Sequence, residues 1–142
     1  MSTEQNKSIV RRWIEQGWNQ GNLAVVNELY AADVVQHDPS SPVPVTSAEA
    51  LRQYVAAFKS ALPDLHFSVD DLLAEGDKVM WCFTSRGTHQ GPLMGIPATG
   101  RTATVTGMVL FRLVDNKIAE VWVNFDTLGM LQQMGVIPMP TA

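Results

Sequence analysis

The hydrophobic period of this chain changes once, near Leu65, and that change limits the possible folds more than any other feature. Ahead of it, Ile9, Val10, Trp13, Ile14 and Gly17 recur at helical spacing, and Leu51, Val55, Phe58 and Leu62 fall four, three and four residues apart. Behind it, 65–74, 79–89, 102–114 and 117–125 are rich in β-branched and aromatic residues, with the turn signals Glu75-Gly76-Asp77 and Asp115-Asn116 between strands. Helices followed by antiparallel strands make an α+β domain. One face of such a sheet needs cover, and the early amphipathic helices supply it. If the sheet curls, its concave side and the helices enclose a pocket.

The boundaries follow from local chemistry. Ser2 with Gln5 forms a capping box, and the first helix ends at Gln20-Gly21. Asn22 caps a short second helix whose apolar side is Leu23, Val26, Leu29 and Tyr30. Val34 to His37 reads as a short strand and 38–44, with its prolines, as a loop. Thr46 with Glu49 is a second capping box, and Pro63 stops the helix it opens. Residues 90–100 form a loop between two long strands. Leu128, Leu131 and Met134 make a short last helix closed by Gly135.

Length and charge narrow the function. The 142 residues are read as one domain, 1–142, large enough for a core without staples. The net charge of −4 and the lack of a basic stripe argue against a nucleic-acid partner. No stretch approaches the ~18 apolar residues of a membrane span, so no membrane partner is expected. Cys82 is the lone cysteine, which rules out an internal disulfide and fits a reducing cytoplasm. His37, His66 and His89 lack metal-ligand spacing, so no metal is expected. There is no nucleophile elbow and no phosphate loop.

Several segments together resemble a known family. They are Gly87-Thr88-His89-Gln90-Gly91, Gly95-Ile96-Pro97-Ala98-Thr99-Gly100, Trp122-Val123-Asn124-Phe125-Asp126, the stretch from Tyr30 through His37-Asp38-Pro39, and Leu131-Gln132-Gln133-Met134-Gly135. With the element order, they are similar to the SnoaL-like polyketide cyclases, or ester cyclases, over nearly the whole chain. The resemblance implies the fold of nuclear transport factor 2, a cone-shaped barrel of curved antiparallel sheet around an apolar cavity. It also implies a cofactor-free intramolecular aldol condensation of a small apolar or aromatic polyketide-like ester, with an aspartate as general acid/base. The matching position here is Asp126. A fold does not fix a reaction, and isomerisation, epoxide hydration, dehydration or plain binding of an apolar metabolite use the same kind of cavity.

Each candidate residue has two readings. An apolar pocket raises a carboxyl pKa toward the working range, which suits Asp126 as acid/base. Asp126 also precedes a short helix, where aspartate is a preferred N-cap. Trp122, Asn124 and Asp126 share one parity and so one side of a strand. On the cavity reading, Asn124 bonds a substrate oxygen and Trp122 gives a flat wall. His37 is a second catalytic candidate, polarising a carbonyl or shuttling a proton, or else it orders its loop. Trp13, Phe58 and Met108 are core-type residues of which some face the cavity, and His89 stands at its mouth. These four complete the expected substrate-contacting set. Cys82 reads as a buried inert thiol and Arg86 as solvated. Strands 79–84 and 105–111 offer two usable faces, which implies a homodimer.

Overall fold

The computed structural model describes residues 2–140. Helix α1 (Thr3–Arg12) starts at the expected capping box, with the Ser2 hydroxyl accepting from the Gln5 N–H and the Gln5 side chain from the Ser2 N–H. It runs on as a π-helical stretch (Trp13–Asn19). There Gly17 is required, because a Cβ would lie 2.2 Å from the Trp13 ring that covers it. Helix α2 spans Val25–Leu29, with Asn22 accepting from the Ala24 N–H. Helix α3 (Ala48–Ala61) is capped by Ser47, not Thr46: the Ser47 hydroxyl accepts from the Ala50 N–H at 3.1 Å. Glu49 is turned instead toward Arg52.

The strands are β1 (Tyr30–His37), β2 (His66–Phe67), β3 (Asp71–Glu75), β4 (Lys78–Thr88), β5 (Thr102–Val114) and β6 (Lys117–Phe125). A final helix, α4, covers Thr127–Gln133. The sheet is curved and open, in the order β1-β6-β5-β4-β2, with β3 also on β4. Two features depart from the sequence reading. The strand expected over 65–74 is two strands, because Ser68–Asp70 turns its polar groups onto β4: Ser68 and Asp70 donate their N–H groups to the Thr84 and Cys82 carbonyls. The strand expected at 34–37 begins at Tyr30 and joins the sheet parallel to β6, where the chain was read as purely antiparallel. The β5–β6 hairpin turns at Asp115 and Asn116, both at positive φ (50° and 64°), the geometry whose twist suits a two-residue hairpin loop.

The core lies between the concave face and α1 to α3. Along β4 and β5 the odd positions are buried and the even ones face outward, and this alternation sets which side chains reach the interior. The thirteen-residue β5 pairs with β4 from Thr102 to Arg112 and with β6 from Gly107 to Val114, so it forms the central wall. Among the described residues no helix is long and apolar enough to cross a membrane.

Candidate functional site: an aromatic cavity

The concave face and the helices enclose a cavity walled by aromatic rings. The π-helical stretch brings Trp13 and Trp18, α3 brings Tyr54 and Phe58, β4 brings Trp81 and Phe83, and β6 brings Val121, Val123 and Phe125. The rings hold one another edge to face. Trp13 and Tyr30 centroids are 4.9 Å apart at 81°, and Phe58 meets Phe125 at 6.3 Å and 83°. Gly107 permits this packing at the sheet end. A Cβ there would lie 2.4 Å from the Phe83 ring and 2.8 Å from the Phe125 Cβ.

Polar groups in the wall are few. Gln36 of β1 is buried, and Ser85 points inward, its hydroxyl on the Val105 carbonyl at 3.3 Å. The Tyr54 hydroxyl donates to Asp38 Oδ2 at 2.6 Å. Burial holds the Tyr54 hydroxyl far above its ordinary pKa, with the Asp38 carboxylate adding to the shift, and burial does the same to Tyr30. Both phenols therefore stay protonated. No Asp, Glu, His, Lys or Arg belongs to the described lining.

The enclosed volume is about 70 Å³. That is less than half of the ~150 Å³ that accommodates benzene in an engineered protein cavity. Beside it lies a groove of about 370 Å³ under the 38–45 loop and α3, lined by Asp38, Val45, Met94 and others. Tyr54 and Phe58 line both spaces, so these two side chains form the partition between them.

The residues singled out from sequence divide into two groups. Trp13 and Phe58 line the cavity. The others stand elsewhere. Trp122 and Asn124 do share a side, but it is the outer one, because Val121, Val123 and Phe125 hold the inward positions of β6. Met108, expected inside, is 57% exposed and pairs with Cys82 and Asn124 across the outer face. Cys82 is half-buried there, not enclosed. His37 is exposed, donates its Nε2–H to the Glu120 carboxylate at 2.7 Å and stacks on Trp122 at 5.4 Å. His37 and Arg112 hold the Glu120 carboxyl below the usual range. His89 is fully buried, where a place at the mouth was expected. Its Nδ1 meets the Thr99 hydroxyl at 3.0 Å and accepts from the Thr99 N–H, tying down the 90–100 loop. Asp126 is exposed and caps α4, its Oδ1 accepting from the Gly129 N–H at 2.9 Å.

Gln36 and Tyr54 were missed as candidates. Gln36 shares its inward parity with Val34, both buried in the structure, a placement that follows from the pairing of β1 with β6. Tyr54 carried a weak signal, one turn before Phe58 on an apolar helix face.

The sequence matches a known family over most of its length. Residues 8–134 match the SnoaL-like polyketide cyclases. The chain belongs to this family. Among its relatives is the aklanonic acid methyl ester cyclase DnrD of Streptomyces peucetius, 31% identical over 94% of this chain and 92% of that protein. Among solved structures, IdmH of Streptomyces antibioticus, a candidate polyketide cyclase, superposes with a TM-score of 0.78 at 31% identity, covering 93% of this chain and 99% of its own. AclR of Streptomyces galilaeus, a candidate hydroxylase, gives 0.85 at 26% identity over 99% and 87%. Solved structures of this nuclear transport factor 2-like fold thus carry more than one suggested chemistry.

Proposed function

We propose that this cyclase-family protein takes a polyketide-like carbonyl ester into the aromatic cavity and closes a ring in it by intramolecular aldol chemistry. The observation that carries this reading is the wall itself: flat rings with a buried amide and a few hydroxyls suit a folded, largely apolar polyketone. In the closure, a base removes a proton from the carbon between two carbonyls. The enolate carbon then bonds to a third carbonyl carbon, and the new alkoxide takes up a proton. Electrons and atoms balance within one molecule. Holding the two carbons together supplies much of the rate.

A ligand of that size needs the cavity and the adjoining groove to join, which assigns Tyr54 and Phe58 as the side chains that move aside. Two carboxylates adjoin cavity-lining residues and are the candidates for the base. Asp126 directly follows cavity-lining Phe125, and Asp38 is bonded to cavity-lining Tyr54. Asp38 is favoured, because its link to the cavity is a direct hydrogen bond while Asp126 is engaged by the Gly129 N–H. The test is incubation with aklanonic acid methyl ester, the compound in the relative's name, read by chromatography for a product of unchanged mass. Asp38→Asn is expected to lower turnover at least tenfold with binding retained. A larger loss in Asp126→Asn, with Asp38→Asn fully active, would return the role to Asp126.

One observation favours a second reading, binding without turnover: no ionisable carboxylate or imidazole belongs to the described lining. Tight binding with no product would establish it. We also propose that two copies pair through the outer face, where Leu73, Met80, Leu110 and Trp122 lie side by side across β3, β4, β5 and β6. A monomer mass by light scattering at micromolar concentration contradicts this.

A further inference from the structure

We infer that Gln36 selects the ligand, its side-chain amide donating to a carbonyl oxygen inside the cavity. Three buried side-chain polar atoms lack a hydrogen-bond partner among the described residues, and Gln36 Nε2 alone belongs to a cavity-lining residue. Gln36 is 7% exposed, so bulk water does not satisfy the amide. Its position is fixed from both sides. The Gln36 N–H donates to the Val45 carbonyl at 2.8 Å, and the residue pairs with Val121 of β6. Two hydroxyls of the wall donate elsewhere, Ser85 to the Val105 carbonyl and Tyr54 to Asp38, which leaves the Gln36 amide as a wall donor without an acceptor.

A buried donor without an acceptor is a standing loss that any acceptor oxygen removes. In an apolar chamber that gain adds to ring packing, which one flat hydrocarbon supplies as well as another. Gln36 therefore discriminates by chemistry where the aromatic wall discriminates by shape. Should the bound compound form an enolate, the same N–H faces the oxygen on which charge develops, which makes Gln36 a positioning residue for that oxygen. The inference rests on the cavity being the ligand site.

The experiment compares 1-indanone with indane, which differ by one carbonyl, in calorimetric titrations of the wild-type protein, Gln36→Leu and Gln36→Met. The wild type is expected to bind 1-indanone about tenfold more tightly than indane, the equivalent of one hydrogen bond. Either variant should bind both alike and melt at a higher temperature, because an unpaired donor has gone. The wild-type Gln36 side-chain NH2 resonances should shift with 1-indanone and stay with indane. Equal wild-type affinities would overturn the inference while leaving the cavity as the binding site, with a trapped water as the amide's acceptor. So would a carbonyl preference that survives in both variants, or variants that melt lower with the preference intact. Failure of both probes to bind would overturn the cavity reading and this inference together.

Discussion

Val121, Val123 and Phe125 on one face of β6, and Trp122, Asn124 and the following Asp126 on the other, share six consecutive residues of chain and meet opposite surroundings. The first three line an apolar chamber whose described lining holds no carboxylate, imidazole, ammonium or guanidinium group. On the outer side, His37 stacks on Trp122 and bonds Glu120, while Asp126 caps a helix. The comparison teaches that the polar residues of a strand are conspicuous in a sequence, while the side on which a pocket opens is marked by its apolar ones. In this protein the chemistry available to a ligand comes from β1 and α3, through Gln36 and Tyr54, and the central strands supply walls.

The largest expected effect comes from breaking the contrast on β6. Val123→Asp forces a carboxyl into the chamber, and a shift of ~3 units in its pKa alone costs on the order of 4 kcal/mol at neutral pH. Asn124→Asp, one residue on, should stay within about 0.5 kcal/mol of the parent. Urea unfolding of both variants reads the difference, and equal losses would mean that the two faces are equally buried.

A middling effect is expected at Asp126. Its Ala variant loses the α4 cap and should destabilise the protein by ~1 kcal/mol, leaving 1-indanone affinity unchanged. Weakened affinity without a fall in melting temperature would put Asp126 in the binding site.

The smallest effect is the acid response of the polar edge and surface. The Thr88 N–H and hydroxyl hold the Asp64 carboxyl below its ordinary 3.8. A depressed carboxylate contributes stability that is fully present above its unfolded value and is lost as pH falls through the folded one. Glu120 behaves alike through His37 and Arg112. Melting temperature should therefore start to drop below about pH 4, and Thr88→Val should flatten that drop. Ligand affinity should stay level from about pH 6 to 9, since the cavity phenols are held protonated by burial.

The fold was legible because its strongest signals are local and repeated. The boundaries of β5 and β6 coincide with the runs 102–114 and 117–125, and the Asp115-Asn116 turn between them needs the positive φ that these residues tolerate. An alternation also runs along β4, and Cys82, read as buried, sits on its outer side. What stayed hidden was the sign of the alternation. Trp122 looks like a pocket wall by composition, and Met108 like core, yet each faces outward because its neighbours fill the inward positions. The parallel seat of β1 beside β6 was also hidden, since a contact between residues 36 and 121 leaves no local trace. Gln36 was overlooked for that reason. Only the pairing turns a lone amide in an eight-residue strand into a donor facing a chamber. The two readings of Asp126 were both chemically sound, and the hydrogen bond to Gly129 is the term that a sequence could suggest only as one of two options.

The most direct test of the account is amide chemical-shift mapping during titration with aklanonic acid methyl ester. The account expects the largest changes at Gln36, Tyr54, Ser85 and Val123, with little at Met108, Asn124 and Glu120. Changes concentrated on Met108, Trp122, Asn124 and His37, with the inward residues silent, would mean that the ligand sits on the outer face and would contradict it.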